Sequence, residues 1–273
     1  EVHCRSALGE TSDRAFGDHK AFHSDRDWCF MSANLADGVT MRYFDAPEQT
    51  PESTVPVLLL HGFGTDFAMN WRATGWTQAL ESAGLRVIGP DLRGHGASDK
   101  PRESDAYLPE RFVADLVAML DELGVARVDV VGYSMGSRLA WELARTEPER
   151  VGRVVLGGFG PKNAFEGTDL ADPGSGDTAF DMVYRTVAAL PGNDAGALAA
   201  CARGQAARPF EADPPLSGPP VLLVSGERDA LAKGAAELAE RCGGRYVEVP
   251  RRDHANAVSS KAFKQAVLDF LTD

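Results

Sequence analysis

A serine bracketed by glycines lies between a strand-like stretch and a helix-like stretch of the sequence. Residues 127–131 are rich in β-branched side chains, as in a buried strand. Gly132-Tyr133-Ser134-Met135-Gly136 follows, and residues 137–146 favour a helix. In this context a G-x-S-x-G pattern predicts a nucleophile elbow, a sharp turn that exposes the serine hydroxyl. Flanking glycines let the strand and the helix pass closely, so Ser134 is the candidate nucleophile.

Acyl chemistry on a serine requires a second group, because a serine hydroxyl attacks only when a base takes its proton. Histidine is the usual base, and a carboxylate usually orients it. His254 follows the last predicted strand, whereas His61 and His95 lie in loops ahead of Ser134. The remaining histidines lie in an unpatterned N-terminal stretch, at His3, His19 and His23.

The elements that must position these residues alternate between strand and helix. Apolar and β-branched runs predict strands at 39–44, 57–60, 85–88, 127–131, 151–156, 221–225 and 246–249. Helical spacing predicts helices at 71–83, 109–123, 137–146, 232–242 and 263–271. This alternation indicates an α/β protein with a mostly parallel, twisted sheet and helices on both faces.

The sequence divides into an extension, a core and an insertion. Residues 1–30 have no hydrophobic period and no apolar signal region, so they are expected to be a disordered or non-native extension. Residues 31–160 and 221–273 are predicted to form the α/β core. Residues 161–220 are rich in Ala, Gly, Pro and Asp, with weak helices at 180–190 and 195–207. Such a stretch is too long for a plain loop and predicts a small helical lid.

Composition excludes several classes of function. The chain has 273 residues and a net charge of −12, which suits one sizeable core and disfavours a nucleic-acid partner. No apolar run approaches the roughly 20 residues of a membrane span. The four cysteines form no C-x-x-C pair, which argues against a disulfide framework or zinc site and favours a reducing cytoplasm. The oligomeric state is left open.

Several motifs in this order resemble the α/β-hydrolase fold superfamily, in its serine esterase and lipase branch. They are His61-Gly62-Phe63-Gly64, the loop at 91–98 (DLRGHGAS), the elbow at 132–136, and the pairs Gly226-Glu227-Arg228-Asp229 and Asp253-His254. The resemblance covers residues 39–273 and implies a catalytic triad with no cofactor. Phosphate-loop and dinucleotide-binding patterns are absent from the sequence.

The resemblance implies a role for each candidate. In this fold the chain order is serine, acid, histidine, so Ser134 is the nucleophile and His254 the base. By the same order, His61 and His95 are expected to orient loops. Asp229, just past the strand at 221–225, is the expected acid, with Glu227 and Asp253 as competitors.

The resemblance also places the oxyanion hole and suggests a pocket. By the family pattern, the backbone N–H groups of Phe63 and Met135 would receive the oxyanion. Phe159, together with Met182 and Tyr184 of the insertion, are candidates for the substrate pocket. The loop at 91–98 is assigned to scaffolding.

We therefore expect a serine carboxylesterase that acts on small-molecule esters with short to medium acyl chains. The same triad also serves C–C bond (meta-cleavage product) hydrolases and cofactor-free perhydrolases or haloperoxidases, which are the alternatives. Epoxide hydrolases and haloalkane dehalogenases of this fold need an aspartate nucleophile, so Ser134 argues against both. A protein of this fold that only binds a small ligand is a further alternative, since fold does not imply function.

Overall fold

The computed structural model describes residues 30–46 and 55–273. Within them the strands are β1 Phe30–Asn34, β2 Thr40–Asp45, β3 Val57–Leu60, β4 Val87–Pro90, β5 Val128–Tyr133, β6 Val151–Gly157, β7 Val221–Gly226 and β8 Arg245–Val249. The helices are α1 Trp76–Ser82, α2 Pro109–Glu122, α3 Met135–Thr146, α4 Ala179–Ala188, α5 Ala195–Ala206, α6 Ala235–Arg241 and α7 Lys261–Thr272. The predicted extension lies outside the described residues, apart from Phe30.

The strands form one sheet in the order β1-β2-β4-β3-β5-β6-β7-β8. β1, β2 and β4 pair antiparallel, while the strands from β4 across to β8 run parallel. The parallel strands are joined through helices, as right-handed crossovers require. Since the carboxyl ends of parallel strands meet at one edge, the loops after β3, β5, β7 and β8 are brought together there.

Apolar residues fill the central strands because both faces of the sheet are covered. Leu58 and Leu60 point into a core that includes side chains of α2, α3 and α6. Val57 and Leu59 point to the opposite face, where α1 and α7 pack. The predicted mostly parallel sheet with helices on both faces is confirmed.

Two local predictions about elements are wrong. The first strand is β1, not the strand at 39–44, because Phe30–Asn34 folds back onto β2 through a turn with Gly38 at φ 82°. The predicted helix at 71–83 is two pieces, a π-helical turn Ala68–Arg72 and α1. Gly75 lies between them at φ 78°, a left-handed conformation that interrupts an α-helix.

The insertion between β6 and β7 lies against the turn that follows β3. Its helices α4 and α5 begin at Thr178 and Asp194, whose side chains accept hydrogen bonds from the first turn. Asn193 Nδ2 donates to the Gly64 carbonyl at 2.8 Å, and the Phe180 ring lies 5.2 Å from that of Phe63. The insertion therefore covers the end of the sheet where the elbow lies, and its action as a lid stays a prediction.

No helix in residues 30–46 or 55–273 is both long enough and apolar enough to cross a membrane.

Candidate active site

The turn between β5 and α3 holds Ser134 in a strained backbone conformation. Its φ of 55° and ψ of −116° lie where residues with a side chain are rarely found. A Cβ on Gly132 would overlap the Gly136 carbonyl, and one on Gly136 would overlap the Leu60 carbonyl. The glycines thus permit the close passage of strand and helix, and the hydroxyl stands at the tip of the turn.

Three predicted site residues come together across the sheet edge. His254 Nε2 lies 3.0 Å from Ser134 Oγ, and His254 Nδ1 lies 2.9 Å from Asp229 Oδ2 and 3.0 Å from Oδ1. Both contacts are within hydrogen-bond distance. The arrangement can accept a proton from the hydroxyl at Nε2 while the carboxylate holds the Nδ1 proton.

Asp229 is immobilised by the segment that follows it. Its side chain is 0% exposed, and Oδ1 accepts hydrogen bonds from Leu231 N at 3.0 Å and Ala232 N at 3.2 Å. These bonds cap a short 3₁₀ helix and fix the carboxylate in front of the imidazole. The backbone of His254 is held as well, because Tyr133 Oη donates to its carbonyl at 2.5 Å.

The competing carboxylates are used elsewhere. Glu227 Oε2 accepts a hydrogen bond from Arg251 N at 2.6 Å. Asp253 Oδ1 accepts from the backbone N–H groups of Ala255 and Asn256, at 3.0 and 3.1 Å, and closes the turn that carries the histidine. Asp229 is therefore the carboxylate that meets the ring.

His61 and His95 hold loops, as their place ahead of the serine suggests. His61 Nδ1 lies 2.8 Å from the Gly62 carbonyl and Nε2 accepts from Leu92 N at 2.9 Å. His95 Nδ1 donates to the Arg93 carbonyl at 2.9 Å. Burial lowers the pKa of His61 to about 4 and that of His95 to about 3, so both rings are neutral near pH 7.

The predicted oxyanion donors are on the two turns that flank the serine. Met135 is the first residue of α3, where the helix N-terminus adds partial positive charge. Phe63 follows Gly62, where an added Cβ would lie 3.5 Å from the Cβ of Ser134. Neither the Phe63 N–H nor the Met135 N–H donates to an acceptor in the described part of the chain. Both donors are therefore available to a bound oxygen.

A side chain that the sequence analysis missed braces the Phe63 turn. Asn70 Oδ1 accepts from Gly62 N at 3.1 Å and from Thr65 Oγ1 at 3.3 Å. Thr65 Oγ1 also lies 2.8 Å from the Gly62 carbonyl. The predicted helix at 71–83 starts one residue after Asn70, so helical spacing gave no signal for the π-helical turn Ala68–Arg72 that presents this side chain.

A small cavity of about 70 Å³, which we call the elbow cavity, opens beside the serine. Its apolar wall includes Phe63, Met135, Phe159, Ala164, Phe165, Phe180, Val183, Phe210 and Leu231. Of the predicted pocket residues, Phe159 lines it. Met182 and Tyr184 do not: Met182 is 54% exposed, and Tyr184 is buried with its hydroxyl 3.0 Å from the Ala195 carbonyl.

The register of α4 explains why Met182 does not line the elbow cavity. The helix begins after Thr178, and its residues Phe180 and Val183 then face the elbow cavity. Met182 falls on the opposite side of the helix because successive residues turn by about 100°.

Two buried polar residues that line the elbow cavity were also missed. Arg138 lies in the first turn of α3, one turn after Ser134, and Gln205 lies near the end of α5. Both are buried, Arg138 at 7% and Gln205 at 1% exposure. Arg138 is at helical spacing from the serine and could have been found, whereas Gln205 arrives only through the packing of the insertion.

No group of three or more metal-ligating side chains occurs among the residues that the structure describes. The buried Cys201 Sγ lies 3.8 Å from Met135 Sδ, and burial raises the pKa of this thiol far above its usual range. Cys201 therefore packs as a small apolar residue.

A comparison with family models finds the alpha/beta hydrolase fold over residues 55–200. This match spans more than half of the 273 residues. The chain belongs to the alpha/beta hydrolase fold family. The match includes the elbow and ends before β7, so Asp229 and His254 rest on the geometry described above.

Curated relatives of this family member match part of the chain. Epoxide hydrolase 3 of Siraitia grosvenorii is 41% identical over 99 residues, which are 36% of this chain and 30% of that protein. A putative 2-succinyl-6-hydroxy-2,4-cyclohexadiene-1-carboxylate synthase of Bacillus subtilis (strain 168) is 39% identical over 126 residues, 46% of this chain and 43% of that protein. The matches thus span less than half of these relatives.

Solved structures of the family align over most of the chain. The enol-lactonase from Burkholderia xenovorans LB400 has a TM-score of 0.73 at 26% identity and covers 89% of this chain and 100% of that one. A hydrolase from Pseudomonas aeruginosa PA01 has a TM-score of 0.72 at 25% identity, covering 92% of this chain and 100% of that one.

Proposed function

We propose that this protein is a serine hydrolase that cleaves carboxylic esters, including cyclic ones, through an acyl-enzyme intermediate. The observation that carries the proposal is the unbroken line of contacts from Ser134 Oγ through His254 to Asp229, at 3.0 and 2.9 Å. The roles of nucleophile, base and orienting acid follow from this order. Short to medium acyl chains suit the small elbow cavity, since the pockets that bind drug-sized ligands have volumes of about 300–1,000 Å³.

Acylation proceeds by attack of Ser134 Oγ on the ester carbonyl carbon while His254 Nε2 takes the hydroxyl proton. The oxygen that becomes negative accepts hydrogen bonds from the N–H groups of Phe63 and Met135. Collapse of the tetrahedral intermediate breaks the bond to the alkoxy oxygen, which takes the proton from His254 and leaves as the alcohol. Asp229 stabilises the transient imidazolium without taking its proton.

Deacylation repeats the sequence with water. His254 Nε2 takes a proton from water as the water oxygen attacks the acyl carbon. Collapse of the second intermediate breaks the bond to Ser134 Oγ, and the proton returns from His254 to that oxygen. The acid is released and no cofactor is consumed.

The names of relatives support the ester proposal unequally. Enol-lactone cleavage, in the name of a protein aligned over its full length, is the hydrolysis of a cyclic ester. Several curated relatives are named epoxide hydrolase, and their matches cover 99 to 119 residues, which are 30–35% of each relative. Epoxide hydrolysis in this fold uses an aspartate nucleophile, and this chain has Ser134 at its elbow. We therefore favour ester hydrolysis.

The test combines covalent labelling with turnover. We expect a fluorophosphonate to add to the protein once, at Ser134, as read by intact mass and peptide mapping. We also expect p-nitrophenyl esters of two- to twelve-carbon acids to be hydrolysed, with the rate highest for short chains. Labelling without ester turnover would favour C–C bond hydrolysis or perhydrolysis instead, and absence of both would favour a protein that only binds a ligand.

The matched variants are Ser134→Ala and Ser175→Ala. The first removes the proposed nucleophile and should lower kcat by a factor of about 10⁴ or more, with the fold retained by circular dichroism. The second removes an exposed hydroxyl of the insertion that lies 2.7 Å from the Asp172 carbonyl. It should label and turn over as the wild type does. Ester turnover by Ser134→Ala would contradict the proposal.

A further inference from the structure

The polar lining of the elbow cavity has one sign of charge. Arg138 and Lys162 line it, and no carboxylate is among the described residues that do so. The chain as a whole has 40 acidic residues against 28 Lys and Arg, so a cavity lined by cations alone runs against the composition. A charged substrate in this cavity would be an anion.

Arg138 is incompletely paired within the protein. Its Nη2 donates to the Arg208 carbonyl, and the nearest Glu142 oxygen is 3.9 Å from that nitrogen. Its Nε–H is buried and has no hydrogen-bond partner in the described part of the chain. A buried donor without a partner is costly and rare, so this nitrogen marks a place for a ligand acceptor.

Gln205 has an unpaired acceptor, where Arg138 has an unpaired donor. Its Nε2 donates to the Tyr107 carbonyl at 2.7 Å, which requires the amide nitrogen on that side. The opposite atom, Oε1, is buried and has no donor among the described residues. Arg138 and Gln205 thus both line the elbow cavity, and each has one buried polar atom without a partner in the described part of the chain.

We propose, building on the proposed ester hydrolysis, that the elbow cavity selects short acyl groups that end in a carboxylate. The carboxylate accepts hydrogen bonds from the Arg138 guanidinium, with Lys162 at the rim adding positive potential. Gln205 Oε1 accepts a hydrogen bond from a hydroxyl on the same acyl group. The substrates are thus monoesters or lactones of short dicarboxylic acids. Those that also have a hydroxyl pair with both Arg138 and Gln205 Oε1.

We place the carboxylate on the acyl part of the ester, not on the alcohol part, because the alcohol must leave the site after acylation. The alcohol departs after acylation and needs a path to solvent, whereas the acyl group stays bonded to Ser134. Arg138 N lies 3.3 Å from the Ser134 carbonyl, so the guanidinium belongs to the first turn beyond the nucleophile. Gln205 is 1% exposed and also lines the cavity, so we assign its contact to the acyl group, which is retained.

The substrate pair that tests this is monoethyl glutarate against ethyl 5-methylhexanoate. The two acyl groups have the same length and branching, and differ in a carboxylate against an isopropyl end. We expect kcat/KM, followed by ethanol release, to favour the monoethyl glutarate by roughly 10- to 100-fold, as a charge-assisted hydrogen bond provides. A ratio of one or below in the wild-type protein overturns the inference.

Two variants test whether Arg138 produces the preference for the carboxylate substrate. Arg138→Met keeps the aliphatic stem and removes the guanidinium, so the ratio of the two kcat/KM values should fall to about one. Arg145→Met is the matched control, because Arg145 is on the same helix, is half exposed and pairs with the same Glu142 at 2.7 Å. Arg145→Met should keep the wild-type ratio. A preference that survives Arg138→Met overturns the assignment.

A binding measurement separates this inference from the proposed function. Ser134→Ala cannot form the acyl-enzyme, so calorimetry with monoethyl glutarate reports recognition alone. We expect binding that weakens roughly tenfold in Ser134→Ala/Lys162→Met, a change at the rim that does not disturb a buried residue. If the wild type hydrolyses no ester but Ser134→Ala binds the monoester more tightly than ethyl 5-methylhexanoate, the function fails and the inference stands. Equal binding of the two esters overturns the inference.

Discussion

Two buried arginines, Arg93 and Arg138, are paired in opposite ways. The Arg93 side chain is 1% exposed, and its Nε and Nη2 each lie 2.6 Å from an oxygen of Asp115. Its Nη1 donates to Asp37 at 2.9 Å and to the Ala106 carbonyl at 2.8 Å. We call this set the Arg93 network. Arg138, by contrast, has an unpaired Nε and a distant carboxylate.

The difference is visible in the pKa of each guanidinium. Burial acts to lower the pKa of Arg93, but hydrogen bonds and charge from Asp115 and Asp37 outweigh it and the pKa is raised. Burial likewise lowers the pKa of Arg138, and Glu142 and Glu110 do not compensate, so it stays lowered. A buried guanidinium whose N–H groups are all paired within the protein supports the fold. One with an unpaired N–H group can still accept a ligand as its partner.

The largest expected effect is the loss of the Arg93 network. Arg93→Met leaves the buried Asp115 carboxylate without its partner, which should lower the free energy of unfolding by about 3–5 kcal/mol. Urea denaturation measures it, and Arg93→Met/Asp115→Leu should recover much of the loss because no buried charge remains. A cost for Arg93→Met of under about 1 kcal/mol would break the comparison.

Arg138→Met should cost much less stability than Arg93→Met. It removes a single hydrogen bond to the Arg208 carbonyl and leaves no buried carboxylate without its partner, so we expect about 1 kcal/mol in the same urea assay. The main effect should appear in substrate preference. If both arginines cost the same stability, Arg138 is a scaffold residue too.

The loops beside the Arg93 network should also make stability depend on pH. His61 and His95 have pKa values lowered by burial to about 4 and about 3, against an ordinary 6.5. Between these values the unfolded chain binds protons that the folded chain does not. The free energy of unfolding should therefore fall as pH falls from about 6.5 toward 4, and level off near neutrality where both states are unprotonated.

His95→Asn isolates that contribution. Asn keeps a donor for the Arg93 carbonyl and cannot take up a proton, so the slope of the unfolding free energy against pH should be shallower than in the wild type. Denaturation series from about pH 7 to about pH 5 measure the slope. Equal slopes would mean that other groups produce the acid loss of stability.

The smallest effect on activity and stability is expected for a change at Tyr133. Tyr133 resembles Arg93 in having a paired polar group and Arg138 in lying beside the elbow. Its hydroxyl is paired like Arg93, yet its partner is the His254 carbonyl beside the elbow. Tyr133→Phe removes that 2.5 Å bond while keeping the ring contact with the imidazole at 5.5 Å between centroids. We expect kcat to fall several-fold, with the melting temperature changed by a few degrees at most. A loss as large as that of Ser134→Ala would mean that Tyr133 takes part in chemistry.

Features that depend on local sequence pattern and on strand order could be predicted from the sequence. Ser134, Asp229 and His254 each follow a strand of the parallel sheet, so a sheet predicted from apolar runs brings their loops to one edge. β1 was missed because Phe30–Asn34 has no clear period and forms through pairing with β2. The Asp37-Gly38 dipeptide ahead of β2 is the turn signal that could have revealed it.

Features set by long-range packing were beyond the sequence. Arg138 and Gln205 each have an atom without a hydrogen-bond partner. Whether a partner comes within reach depends on how α5 of the insertion packs over the core. Met182 and Val183 are adjacent and both apolar, and the start of α4 at Thr178 decides which one faces the elbow cavity. A shift of one residue in that start would turn Met182 toward the elbow cavity.

The backbone at Ser134 has a consequence for how this sequence can change over generations. Its φ of 55° and ψ of −116° suit glycine better than any residue with a side chain, and the strain is of order 1 kcal/mol or more. Replacement by glycine would relax the turn and give a more stable protein. In a lineage that had no use for the hydroxyl, replacement of this serine by glycine would therefore carry no cost in stability. The serine at position 134 ties this fold to selection for chemistry at the elbow.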